Sequence, residues 1–162
     1  LQRGEAEALR RSLAGDRRLA VHERDGYEAL GALLPPRERR GLVLVDPPYE
    51  AQEAEFATLL TALGRALGRW ATGVYAIWYP IKLAGPVQRF HDGLLALGAQ
   101  PLLAVELCVH PRDSRAGLNG SGMAVINPPW QADAALAESL PAVHAALAAD
   151  GAGDARVAWL PR

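Results

Sequence analysis

Asp46-Pro47-Pro48-Tyr49, at the end of the apolar run 41–45, combines residue types that can hold a planar amino group. The Asp46 carboxylate can accept one N–H of such an amine, and the Pro47 carbonyl can accept the other. Pro47 and Pro48 fix φ near about −65° and carry no N–H, so the carbonyl direction is held and no backbone donor competes for the acceptors. Tyr49 offers an aromatic face on which a ring can stack. The set fits an exocyclic amine such as N6 of adenine. Upstream, Asp25-Gly26 closes a short run, 19–23, that reads as a strand. A carboxylate at a strand end can accept from a nucleoside, and Gly26 would allow close approach. An Asp that caps the helix starting at Tyr27 is equally natural there.

Other residues with chemistry carry weaker claims. Asn127-Pro128-Pro129-Trp130 is a second amine-holder look-alike. It follows a glycine loop, where an antiparallel partner strand is expected, so its end should face the other edge of the sheet; it reads as a structural strand-to-helix turn. The loop 110–122 is long and glycine-rich and holds Arg112, Arg115 and Asn119, which suits it to grip a phosphate backbone; an ordinary mobile loop is the competing reading. Trp78 and Tyr79 finish a strand and either line a base pocket or complete a core. Lys82 follows, as a phosphate contact or a solvated side chain. His22, His91, His110 and His144 show no metal-ligand spacing with one another or with Cys108, so no metal site is expected. Gly117, Gly120 and Gly122 precede a strand rather than follow one, which is the wrong context for a nucleotide fingerprint.

These residues need elements to place them. Helical spacing predicts helices over 5–13, 27–34, 51–70, 86–97 and 132–149, the 51–70 helix carrying Phe56, Leu59, Leu60, Leu63 and Leu67. Strands are expected at 19–23, 41–45, 73–78, 102–109, 123–127 and 156–160. Continuous apolar character in 41–45 marks a strand covered on both faces. Alternating strands and helices imply βαβ units and a mostly parallel sheet with helices on both faces. Ligands of such sheets bind beyond the carboxyl ends of the strands. That rule collects Asp25-Gly26, residues 46–49, 78–80 and 110–122 on one edge. The basic cluster Arg37-Glu38-Arg39-Arg40 precedes a strand and belongs to the opposite edge as a solvated turn.

Composition narrows the class. The 162 residues fit one domain that buries roughly two thirds of its unfolded surface. Half the residues are apolar and the net charge is −1, which argues against a general basic coat for nucleic acid and leaves room for a local patch. The single cysteine, Cys108, sits in an apolar stretch and reads as core. No apolar run is long enough to span a bilayer and no leader pattern opens the chain, so a cytoplasmic protein without membrane attachment is expected. The first residue is Leu1, inside a helix already under way, and the expectation is a piece of a longer protein.

Three blocks then carry a resemblance. They are Pro36, Arg39-Arg40-Gly41 and Val43 through Glu50; Ala76-Ile77-Trp78-Tyr79-Pro80; and Gly120, Gly122-Met123 and Val125-Ile126-Asn127-Pro128-Pro129-Trp130. In this order and spacing the chain resembles the bacterial RlmJ family, 23S ribosomal RNA adenine-N6 methyltransferases that use S-adenosylmethionine. The resemblance implies a Rossmann-like class I methyltransferase sheet, with residues 1–162 as a partial domain lacking its N-terminal strands. By position it gives Asp46, Pro47, Pro48 and Tyr49 the catalytic role, and Asp25 with Gly26 contact to the donor. Trp78, Tyr79, Arg112, Arg115 and Asn119 are the candidate substrate contacts. It implies a monomer acting on 23S RNA with no metal. The glycine-rich turn and second-strand acid that such enzymes use for the donor are not in this chain. Two alternatives stay open: a DNA adenine-N6 methyltransferase, and a non-catalytic binding module with an incomplete donor site.

Overall fold

Alternation along strand β1 (Leu42–Val45) decides which side of the sheet becomes the core. Val43 and Val45 pack against the main cluster of buried apolar side chains, while Leu42 and Leu44 point to the other face, each 62% exposed. The computed structural model describes residues 3–38, 40–49, 52–115, 117–148 and 150–161. Ahead of β1 lie helices α1 (Arg3–Leu13) and α2 (Gly26–Leu33). After it follow α3 (Gln52–Arg69), β2 (Val74–Ile81), α4 (Ala84–Ala96), β3 (Leu102–Cys108), β4 (Gly120–Ile126), α5 (Ala132–Leu147) and β5 (Asp154–Trp159).

Helix α3 buries Phe56, Leu59, Leu63 and Ala66, one stripe at helical spacing, against the sheet. Phe56 stacks on Phe90 of α4 with ring centroids 4.3 Å apart, so the two helices share one face. That face receives Tyr75, Ile77, Tyr79 and Ile81 of β2 with Leu102, Ala124 and Ile126, all buried.

The strands run in the order β1-β2-β4-β3-β5. Only β1 and β2 pair in parallel; β4 runs antiparallel to both β2 and β3, and β5 antiparallel to β3. The expectation of a mostly parallel sheet is therefore corrected. The connection 109–119 holds no helix, and a parallel return needs a crossover of a dozen or more residues, so the chain turns straight back. Strands β4 and β5 run in the same direction on either side of β3, joined through α5. The right-handed rule for such crossovers puts α5 on the face opposite α3 and α4. Helices thus cover both faces, as expected, although on the α5 side Leu42 and Leu44 of β1 stay exposed.

Two further boundaries differ. Residues 19–23 form no strand: Leu19 is 50% exposed and no neighbouring strand offers a ladder. Arg10 of α1 holds this stretch instead, donating to the Val21 carbonyl and to Glu23. Strand β2 runs on through Tyr79 and Pro80 to Ile81 rather than ending at Trp78. Pro80 is tolerated because β1 stops opposite Ile77, so beyond that point no β1 ladder requires an N–H from β2.

Candidate active site

The carboxyl ends of β1, β2 and β3 share one edge, together with the starts of β4 and β5. Asp46 leaves the end of β1 exposed, Pro47 is half-buried and Pro48 is exposed. Tyr49 then turns inward with φ +51°, a left-handed conformation that costs an L-residue on the order of 1–2 kcal/mol. Three contacts hold it there. Its hydroxyl donates to the Trp78 carbonyl, its ring meets Phe56 edge-on at 5.4 Å, and the Trp78 ring lies at 5.7 Å. Burial, then the nearby Tyr27, Asp46 and Glu55, push the hydroxyl above its ordinary range, so it remains a donor. Tyr49 is 3% exposed and so offers no open stacking face. That part of the expectation is corrected: the aromatic ring of the motif is a pin, driven into the core by the apolar contacts it finds there. Glu50 lies outside the described residues.

A cleft of about 450 Å³ opens beside this turn, lined by Asp25, Gly26, Tyr27, Leu30, Leu44, Val45, Asp46, Pro47, Pro48 and Glu55. Asp25 and Asp46 are thus brought to one cavity from stretches that are remote in sequence. Asp25 also caps α2, its Oδ1 accepting from the backbone N–H of Tyr27 at 2.8 Å and of Glu28 at 3.1 Å. Both bonds use the same oxygen, so capping leaves Oδ2 for a ligand. A slightly larger recess, about 510 Å³, lies between α2 and α3, but no strand-end residue lines it.

Tyr27 and Glu55 were not foreseen. The Tyr27 hydroxyl donates to Glu55 Oε2 at 2.7 Å, buckling α2 to α3 across the cleft. Burial and the Glu55 carboxylate raise the Tyr27 hydroxyl well above its ordinary value. Glu55 lies on the first turns of the helix that follows the motif, which was the one available signal. Among the described residues the lining then holds three carboxylates, Asp25, Asp46 and Glu55, and no lysine or arginine. Such a lining fits a ligand that carries positive charge and amino donors.

The expected substrate contacts separate. Trp78 is half-buried against Tyr49. Tyr79 is fully buried: its hydroxyl donates to Glu106 Oε1 at 2.9 Å and lies 2.9 Å from His91 Nε2, so it lines no base pocket. Arg112 is held by Glu106 Oε2 at 2.5 Å and by Asp154 Oδ1 at 3.0 Å. Asn119 is fully buried and donates to the carbonyls of Lys82, Arg112 and Ser114. These three are corrected to internal anchors: Tyr79 is a core residue of β2, and Arg112 and Asn119 serve a long loop that, folded over a sheet end, must satisfy its own polar groups. Arg115 alone of the loop trio is exposed.

Asn127 sits at the opposite edge, as expected. Ile126 pairs with Tyr75 near the start of β2, and the Asn127 amide donates to the carbonyls of Ala71 at 2.8 Å and Gly73 at 2.9 Å. Among the described residues no group of three His, Cys, Asp or Glu side chains could hold a metal ion, and no helix is long and apolar enough to cross a membrane.

Comparison with known proteins gives the family. A family model described as "Ribosomal RNA large subunit methyltransferase D, RlmJ" matches residues 1–161. Two curated relatives, each named ribosomal RNA large subunit methyltransferase J, come from Escherichia coli (strain K12) and Haemophilus influenzae. Each is 40% identical over 152 residues, covering 94% of this chain and 54% of its own length. The chain therefore spans about half the length of these relatives. Among solved structures, the crystal structure of protein LPL1258 from Legionella pneumophila aligns with a TM-score of 0.75 at 28% identity, covering 84% of this chain and 49% of that one.

Proposed function

Since this chain belongs to the RlmJ family of ribosomal RNA large subunit methyltransferases, we propose that it serves the S-adenosylmethionine-dependent N6-methylation of an adenine in 23S ribosomal RNA. On this reading residues 1–162 are the part of a methyltransferase domain that presents the base, working as a monomer in the cytoplasm without a metal. The single observation that carries the reading is the shared cleft. Asp46-Pro47-Pro48, read as the amine holder, and Asp25-Gly26, read as the donor contact, line one cavity whose acidic lining suits a cationic, amino-bearing ligand.

When bound, S-adenosylmethionine supplies an electrophilic methyl on a sulfonium. The chain's own residues prepare the nucleophile. The N6 lone pair is delocalised into the purine, and acceptors at the Asp46 carboxylate and the Pro47 carbonyl localise it and aim it across the cleft. Asp25 Oδ2, spared by the cap, accepts from the donor's adenine amine, with Gly26 leaving room for the ring. Alignment of this kind contributes several kcal/mol, on the order of 7 in ideal cases. Asp46 has no need to be a strong base, because an alkylated amine loses its proton readily. Tyr49 holds the turn from below rather than stacking on the base.

Replacing Asp46 by Ala tests this assignment. Asp46 is exposed, so the far-UV spectrum and melting temperature should stay unchanged while methyl transfer to unmodified 23S RNA disappears. Retained transfer would overturn the assignment. Equal transfer to duplex DNA would replace the RNA reading with a DNA one. The bare edge of β1, with Leu42 and Leu44 exposed, favours a second reading for the chain by itself: a binding module with an incomplete donor site. Titration calorimetry with the donor separates the two, since absence of heat at millimolar donor would leave only the second.

A further inference from the structure

The connection 109–119 crosses the same edge as Asp46, and Arg112, Asp113 and Asn119 tie it to the strands and helix beneath. The Asn119 amide alone gathers the carbonyls of Lys82 at 2.8 Å and of Arg112 and Ser114 at 3.0 Å each. The Asn119 backbone N–H donates to the Ile81 carbonyl at 2.8 Å, and its carbonyl accepts from Val109 and His110. Asp113 Oδ1 accepts from the Ala84 N–H that opens α4. Arg112 is taken up by Glu106 and Asp154. A loop tied at so many points is rigid, and the tying sets Lys82 beside the backbone that bears Arg115. No hydrogen bond or ion pair of the Lys82 ammonium or the Arg115 guanidinium occurs among the described residues.

Charge decides what such a ledge would take. The cleft beside Asp46 has three carboxylates and no cation in its lining, so it repels phosphate while accepting a base. A nucleic acid entering it must rest its backbone elsewhere. Strands β2, β4 and β3 lie successively further from β1, and β2 runs on past the Val45–Ile77 pairing to Ile81, so at about 4.8 Å per strand and about 3.3 Å per residue the ledge is roughly 14–20 Å from Asp46. That distance corresponds to about four to six stacked nucleotides at about 3.4 Å each.

We propose that the 109–119 loop is a preset rest for RNA backbone. Lys82 and Arg115 contact phosphates a few nucleotides from the target adenine, and Asn119 is the positioning residue that sets the two cations side by side. The inference rests on the methyltransferase reading and adds to it how the RNA is gripped.

The test is the salt dependence of binding, followed by anisotropy of a labelled hairpin of unmodified 23S RNA. The double variant Lys82→Ala/Arg115→Ala should lower the slope of log K against log salt by roughly 1.5, at about 0.7–0.9 for each phosphate no longer neutralised. Its affinity near 100 mM salt should fall roughly tenfold or more. Asn119→Leu keeps nearly the same size, loses the amide donors and adds no charge, and should lower the slope with both cations still present, which a merely structural role would not do. Should Asn119→Leu fail to fold, Arg115→Lys, which keeps the charge and should keep most of the slope, is measured in its place. An unchanged slope in the double variant overturns the inference while leaving the methyltransferase reading intact. A lowered slope, in a protein whose wild type binds RNA but transfers no methyl, supports the rest and removes the methyltransferase reading. Equal binding and equal slope with polyglutamate would assign the ledge to an acidic protein and overturn the RNA rest, as would a wild-type protein that binds no RNA.

Discussion

Tyr49 poses the sharpest question about how the candidate site works, because an aromatic ring at this position can serve as a stacking face or as a pin. The substitution Tyr49→Phe separates the two, since it keeps the ring and deletes only the hydroxyl. With Phe at 49, the packing on Phe56 and Trp78 survives and the bond to the Trp78 carbonyl disappears. A buried hydrogen bond contributes about 0.5–1.5 kcal/mol, and an acceptor left without a partner adds to the loss. The left-handed backbone at Tyr49 costs a comparable amount, on the order of 1–2 kcal/mol. The bond and the strain are therefore nearly balanced, and removing the bond lets the 46–49 turn relax. Stability should fall by about 1–2 kcal/mol, read as a lower urea midpoint at constant slope. If the turn loses a similar amount of its alignment, single-turnover methyl transfer slows by about five- to thirtyfold, at roughly 1.4 kcal/mol per tenfold. Tyr49→Ala should cost more, about 3–5 kcal/mol, because it leaves a cavity beside Phe56. The pin is refuted if Tyr49→Phe and Tyr49→Trp both match the wild type in stability and transfer. Any aromatic face would then suffice.

Three other outcomes follow from the same geometry. Asp25→Asn should keep the cap on α2 and so the stability, whereas Asp25→Ala should lose about 1 kcal/mol; both should weaken donor binding in calorimetry, and wild-type affinity in Asp25→Asn would reduce Asp25 to a cap. Gly122→Ala would press a Cβ into the Tyr79 ring, which is itself held by Glu106 and His91, so a loss of about 1–3 kcal/mol or more is expected in urea unfolding. A neutral outcome there would mean that the ring moves freely. Burial holds the His91 imidazole below its ordinary 6.5 despite the opposing pull of Glu106 and Asp92. Below pH 6.5 the unfolded chain takes up a proton that the folded chain refuses, so stability is full above pH 6.5 and falls as the pH drops from 6.5 towards the folded value. The stability difference between wild type and His91→Gln should therefore shrink from pH 7.5 to 5.5, and a difference that stays constant would contradict a buried neutral imidazole.

What could be read in advance depended on how local each feature is. The Asp46–Tyr49 motif is four adjacent residues at the end of an apolar run, and helix α3 shows its buried stripe at simple spacing, so both are visible without a fold. The antiparallel return of β4 was hidden in the length of a loop: 110–122 drew attention as unusually long, although for a parallel crossover it is too short. The Tyr27–Glu55 buckle joins residues whose meeting depends on how α2 packs on α3, and no local pattern encodes that.

The loop residues carry a more general argument. Arg112, Arg115 and Asn119 share polarity, edge and loop, which is why they were grouped as outward contacts. Polarity states only that a partner is needed, not whether the partner is solvent, ligand or the protein itself. A chain that closes over the end of a sheet buries backbone carbonyls, and those of Lys82, Arg112 and Ser114 must find a donor. Asn119, with a short amide carrying two N–H groups, is the residue able to serve them from within. Glu106, buried on β3, then requires a cation, and Arg112 is the one that reaches it. With those needs met, Arg115 is left facing outward. Internal demand, counted before function is assigned, sorts the three residues, and it leaves to the solvent side a guanidinium that nothing within the loop requires.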